Sequence, residues 1–250
     1  LTIVYKTLKK LKANNSDSFT YSQLYNRHIA YMLTVDKAES LLVDYFVKYG
    51  NFLLGVEEME KLGLSILKNE MENISNLYQS HRLYVYQSCI NIFHRIFVEK
   101  ERLNSSDEEP IEDIFNKVQH IFDSYYLDAI YYHLILVFEY LKVEYYIAVN
   151  NQKKVESYFQ DINESLPTLL TNYGLYTFPS QFLLTKLNIA IKAKTQAGLY
   201  QENKNLFENF EIDKDNPAQH SIYISYRALS CFYAGKCDES AKWINNMLNE

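Results

Sequence analysis

Glycine and proline are scarce in this 250-residue chain, at six and four residues. That excludes collagen-like, linker-rich and turn-dense all-β architectures, which use these residues at their bends. Cysteine is rarer still. Cys89, Cys231 and Cys237 are odd in number and widely spread, which matches neither a disulfide framework nor a zinc-ligand spacing. A reducing, cytoplasmic setting is the expectation that follows. No apolar run reaches about 18 residues without charge. The stretch 130–149 comes closest, but Glu139, Lys142 and Glu144 interrupt it, so no membrane span is expected. Long basic runs are also missing, and the net charge is −6. Phosphate contacts need clustered Lys and Arg, so no nucleic acid is expected to bind through this segment. The short cluster of Lys6, Lys9, Lys10 and Lys12 reads as a solvated helix face.

The familiar chemical motifs are absent as well. There is no HExxH, CxxC, Glu-x-x-His, GxGxxG, P-loop or Gly-x-Ser-x-Gly sequence. The six histidines are scattered, and each reads as an ordinary surface or core residue. Cys89 and His94 stand five apart on one expected helix, about 140° apart on its wheel, so they share no face. The acidic groups at Glu57, Glu58 and Glu60, and at Glu108 and Glu109, lack the apolar surroundings that tune a catalytic carboxylate. No metal, cofactor or catalytic residue is expected.

What the chain does have is a globular balance, 48% hydrophobic and 22% charged, with 23 Tyr and 14 Phe. Tyrosine suits half-buried seams between helices. The apolar period is helical throughout, and no strand pair carries a hairpin signal. An all-α fold of antiparallel helical hairpins follows. Asp36 is expected to cap a helix that Gly50 closes. The stretch 77–101 reads as one long helix. Gly63 lies inside a helical pattern at a cost of about 1 kcal/mol, which suggests close packing there. The acidic segment 104–110, ending at Pro110, reads as a solvated loop and helix start. Further along, Pro167 is expected to stop a helix begun near Gln152, and 171–179 reads as the longest irregular stretch. The chain opens on Leu1 rather than Met and is read as a fragment or processed form.

The informative feature is self-similarity. AGLYQEN at 197–203 aligns with AGKCDES at 234–240, an offset of 37 residues. A weaker copy, VNNQKKV at 149–155, precedes the first by 48. Gly198 and Gly235 are expected to take the left-handed conformation where the chain reverses, and Asn150 to fill the same role in the weak copy. Glu202 and Glu239 then fall in the first turn of the next helix, favourable to its dipole. Small or polar Asn203 and Ser240 stand where paired helices approach.

On these residues, over about 135–250, the chain resembles the tetratricopeptide-repeat family of helix-turn-helix units. Ala228 matches the small first-helix position, Gly235 the turn glycine, and Ile244 and Met247 later second-helix positions. Arg227 departs from the usual Leu, and the consensus Pro is missing. The resemblance implies a superhelix of stacked hairpins, with 1–103 as N-terminal hairpins and 104–250 as the repeat part. It implies a concave face lined by the first helix of each unit: Tyr140, Glu144 and Ile147; Asn188, Lys192, Thr195 and Gln196; Ser225, Leu229, Phe232 and Tyr233. A non-enzymatic scaffold holding a protein or peptide in that groove is the leading expectation. A homodimer through Tyr-rich surface is a further one. The alternative is the sensor domain of a bacterial peptide-responsive transcriptional regulator, where 20–33 has the length of a recognition helix but offers only Arg27 and His28.

Overall fold

The computed structural model describes residues 1–13, 17–55, 58–103, 105, 107–125, 129–172, 178–207 and 215–249. Glu57, Asn104, Ser106, the side chain of Met247 and that of His133 (one of the six histidines) lie outside the described residues, as do 173–177 of the expected irregular stretch. Among the described residues the regular structure is helical and no strand occurs. In chain order the helices are α1 (Thr2–Leu11), α2 (Asp17–Leu54), α3 (Glu58–Leu77), α4 (His81–Phe97), α5 (Ile111–Ser124), α6 (Ala129–Ala148), α7 (Gln152–Asn172), α8 (Phe178–Ala193), α9 (Leu199–Leu206), α10 (Pro217–Tyr233) and α11 (Cys237–Asn249).

Four helix boundaries differ from the sequence reading, each for a physical reason. Asp36 caps nothing, and Gly50 closes nothing. Both sit inside α2, which runs 38 residues, or about 57 Å. No Pro or Gly stands between Asp17 and Gly50 to stop it. The expected helix 77–101 breaks at 78–80. There Ser80 is extended and accepts from the Leu83 N–H, capping α4, while its hydroxyl also meets the Tyr31 hydroxyl at 2.8 Å. Pro167 lies inside α7 rather than at its end. Its ring costs a helix about 3 kcal/mol. The neighbouring Leu166, Leu169 and Leu170 are buried, and each such side chain returns about 2 kcal/mol on burial.

Consecutive helices pack as hairpins at α1/α2, α2/α3, α3/α4, α6/α7 and α10/α11. α4 packs on α6, and α8 on α10. α2 also reaches beyond its sequence neighbours to α10, and Tyr49 on α2 accepts from Gln181 on α8 at 2.7 Å. One continuous hydrophobic core runs from Val35 to Tyr226 and does not divide near residue 103. Much of it is the expected aromatic seam. Phe93 on α4 takes the edges of Phe46 and Tyr49 from α2 at 4.9 and 4.7 Å between centroids, a favoured geometry for opposed ring quadrupoles. No residue of α1, and none of α2 before Val35, is buried. The first half of α2 therefore carries no buried residue and touches the core through half-buried Tyr31, with α1 along it.

The link between α4 and α5 is exposed at Asp107, Glu109 and Pro110, as a solvated loop and helix start would be, but a buried arginine anchors it. Arg95 is 1% exposed and donates to the carbonyls of Glu109, Leu103 and Arg102 at 2.7, 3.0 and 3.3 Å. Its Nε also lies 3.3 Å from the Glu108 carboxylate. A single guanidinium thus folds the segment around itself, using the fixed fork of donors that lysine lacks.

Candidate functional site

Three helix ends in the C-terminal half share one cap. After α6, Asn150 has φ 57°, its N–H bonds the Ile147 carbonyl and the Asn151 N–H bonds the Tyr146 carbonyl. After α8, Lys194 has φ 59° with the same pair of bonds to Ile191 and Ala190. After α10, Gly235 has φ 75° with bonds to Phe232 and Cys231. Each is a Schellman motif, which satisfies the orphan carbonyls and reverses the chain. Asn150 and Gly235 hold the conformation the sequence assigns them. Gly198 does not. Its φ is −71°, and it precedes α9 at the end of a short 3₁₀ turn (Gln196–Gly198). The reversal falls four residues earlier, on a lysine.

Of the two residues expected where paired helices approach, Ser240 on α11 meets its partner α10, while Asn203 on α9 meets α10 rather than α8. Ser240 is buried and donates to the Ala228 carbonyl at 2.8 Å. Asn203 is buried and accepts from the Tyr226 hydroxyl at 3.0 Å. Arg227, the residue that departs from the family pattern, is enclosed by rings. Its guanidinium lies 4.7 Å from Trp243, 5.0 Å from Phe207 and 5.7 Å from Tyr223. Cation–π attraction and the flat guanidinium face explain why an arginine fills an apolar slot.

Helices α6 and α8 meet through Glu144 and Thr185, and a cavity of about 280 Å³ opens between them. Glu144 and Ile147 come from α6. Thr185, Asn188 and Lys192 follow at i, i+3 and i+7 on α8, with Ile189 beside them. The opposite face of α8 buries Phe182, Leu183, Lys186 and Ala190. Lys186 fixes that face, with its ammonium 2.6 Å from Asn163 on α7 and 2.7 Å from Glu202 on α9. Helix α8 is thereby held in rotation, and its polar stripe is turned to the cavity.

Glu144 is the chemically distinctive group. Burial pushes its carboxyl up to about 7, against the opposing pull of hydrogen bonds from Thr185 and Tyr140 and the charge of Lys100. A carboxylate out of bulk water keeps its charge only as far as its donors compensate. Near neutral pH the cavity floor can therefore present either an acceptor pair or an O–H donor.

Of the sequence-predicted groove residues, the structure brings Glu144, Asn188 and Lys192 together, with Ile147. Tyr140 is a correction. It is 1% exposed, with its ring edge-on to Phe182 at 5.9 Å, and it serves as core beneath Glu144. Gln196 is half-buried in the 3₁₀ turn past α8. Ser225, Leu229 and Tyr233 lie along one side of α10 and do not line the cavity, although α10 packs on α8. Leu229, Phe232 and Tyr233 leave a partly exposed apolar stripe there. Thr185 and Ile189 were missed. Thr185 was readable in principle, being three residues before Asn188 on the same helical stripe.

The remaining chemistry is sparse. Cys89 is buried, and burial raises its thiol far out of the reactive range. Cys231 is buried, Cys237 is exposed, and neither forms a disulfide. His94 is a core residue whose Nδ1 meets the Tyr45 hydroxyl at 2.9 Å, and burial pulls its pKa down. Among the described residues no group of three or more His, Cys, Asp or Glu is placed to hold a metal ion, and no helix is long and apolar enough to cross a membrane. No protein-family model, curated protein or solved structure matches the chain.

Proposed function

We propose that this chain is a non-enzymatic peptide-binding scaffold whose α6–α11 region is arranged as tetratricopeptide-like hairpins. The groove runs along α6 and α8, with Glu144 as floor acceptor, Asn188 as backbone reader and Lys192 as rim cation. The observation that carries this reading is the convergence of Glu144 from one helix with Asn188 and Lys192 from another around one cavity. An amide side chain can pair both N–H and C=O of an extended backbone, which is how a groove binds peptide without regard to every side chain. The three matching Schellman caps support the repeat arrangement, and the three free cysteines support a cytoplasmic setting.

The test is selection of a random peptide library displayed on phage against the intact chain. Enriched peptides are then synthesised and titrated against the wild type and the Asn188→Ala, Lys192→Ala double variant. Both positions are exposed, so helicity by circular dichroism should be unchanged. Binding should weaken at least about ten-fold. Undiminished binding in a folded double variant would remove this groove from the reading.

A further inference from the structure

A second cavity, of about 660 Å³, lies at the opposite end of the chain, where α1 and the first half of α2 meet the connection from α3 to α4. Its walls are aromatic. Tyr5 comes from α1, His28 and Tyr31 from α2, and Tyr78 from the connection. The His28 ring is edge-on to Tyr5 at 6.2 Å and stacked near Tyr31 at 6.4 Å, and Tyr31 is edge-on to Tyr78 at 5.8 Å. The hydrogen bond between Tyr31 and Ser80 pins the wall to the start of α4. At the rim stands Arg27, exposed, which pairs with no carboxylate among the described residues.

Charge is concentrated at the same end. Residues 1–35 carry Lys6, Lys9, Lys10, Lys12 and Arg27 against Asp17 alone, a net +4, while the whole chain is −6. The remainder therefore holds −10, and an anion is drawn to this end and repelled elsewhere. The size suits a small organic ligand. The aromatic walls suit a flat ring, and an unpaired guanidinium suits an oxyanion held in bidentate fashion.

We infer that the α1/α2 cavity is a binding site for a small planar aromatic anion, its ring against Tyr5, His28 and Tyr31 and its oxyanion on Arg27. This site is separate from the α6/α8 groove and stands whether or not that groove binds peptide. It also gives the segment 20–33 a role unlike that of a recognition helix, since Arg27 and His28 line a cavity within the protein's own α1/α2 hairpin.

The experiment uses the full chain and three naphthalene probes: 2-naphthoate, 2-naphthyl phosphate and neutral 2-naphthol, titrated by calorimetry. At least one anion should bind with a dissociation constant below about 1 mM, and at least ten-fold more tightly than naphthol. Which anion binds better separates a carboxylate ligand from a phosphate ligand. Arg27→Gln, a change at an exposed position, should bring both anions down to the level of naphthol, while Lys242→Ala, at an exposed position that lines neither cavity, leaves them unchanged. Equal binding of anions and naphthol, no binding of any probe, or anion binding unaltered by Arg27→Gln would each overturn the assignment.

Discussion

The Thr185 hydroxyl on α8 donates to the Glu144 carboxylate on α6, joining the two helices across the floor of the groove. The bond helps Glu144 stay ionised, yet burial outweighs it and the folded-state pKa stands at about 7 against an ordinary 4.5. A carboxyl whose pKa rises on folding is stabilising in its protonated form. Its contribution is full below about pH 4.5 and is lost as pH rises through 7. The loss is of the order of 3 kcal/mol. Glu144→Gln keeps an acceptor for Thr185 and cannot ionise. The variant and the wild type should be about equally stable at pH 4.5, and the variant should be more stable at pH 7.5. Urea unfolding at both pH values measures this, and a stability difference that does not change with pH contradicts it.

Arg95 organises the link from α4 to α5 through three carbonyls. Removing it leaves those three carbonyls without their donor and takes one of two guanidiniums from the Glu108 carboxylate. Arg95→Met should therefore cost about 3–5 kcal/mol. Arg95→Lys should recover little, because one ammonium cannot span the Arg102, Leu103 and Glu109 carbonyls together. Amide exchange in 98–110 should quicken in both variants. Rescue by lysine to near wild-type stability would show that charge, rather than the fork of donors, holds the segment.

Gly63 is packed as its place inside a helix suggested, but against a lysine stem rather than a backbone. A Cβ built there would lie 1.9 Å from Lys48 Cε, and the same lysine pairs with Glu60 at 2.8 Å. Gly63→Ala should displace the lysine and break the pair, offsetting a gain in helix propensity of about 1 kcal/mol. The sharper test is coupling. Glu60→Gln should cost a few tenths of a kcal/mol in the wild type and nothing in the Gly63→Ala background. Equal costs in both backgrounds would mean that the lysine finds another route to Glu60.

Helix content was legible because apolar residues recur at helical spacing along the whole chain. Boundaries were legible only where a local signal agreed with tertiary packing. Asn216 and Pro217, which the sequence reading passed over, start α10 with Asn216 accepting from the Gln219 N–H. Asp36 and Gly50 carry equally good local signals and bound nothing, because one buried face runs on through them from Val35 to Gly50. Ser80 is a real cap because Tyr31, 49 residues earlier, holds its hydroxyl. The groove shows the same division. Register taken from the family resemblance put Asn188 and Lys192 on one stripe of α8, where both are exposed and line a cavity with Glu144 of α6. It misplaced Tyr140, whose burial depends on Phe182 and Phe97 from two other helices. The α1/α2 cavity left no sequence signal beyond Lys and Tyr spacing, since its walls come from three separate elements.

Two of the three Schellman caps, with Gly198 beside them, give a graded set of backbone tests. Lys194 holds φ 59° at a position where glycine is usual. An L-residue pays about 1 kcal/mol for that conformation, so Lys194→Gly should stabilise the protein by up to about that amount. Gly235 holds φ 75°, and a Cβ there meets nothing within 4 Å. Gly235→Ala should thus destabilise by about 1 kcal/mol through conformation alone, with no steric part. Gly198 sits at φ −71° with open space around it. Gly198→Ala should change stability by less than about 0.5 kcal/mol. Thermal unfolding of the three single variants should rank them Lys194→Gly highest, Gly198→Ala near wild type and Gly235→Ala lowest. A destabilising Gly198→Ala equal to Gly235→Ala would return the reversal to Gly198, where the sequence alone had put it, and with it the 37-residue register.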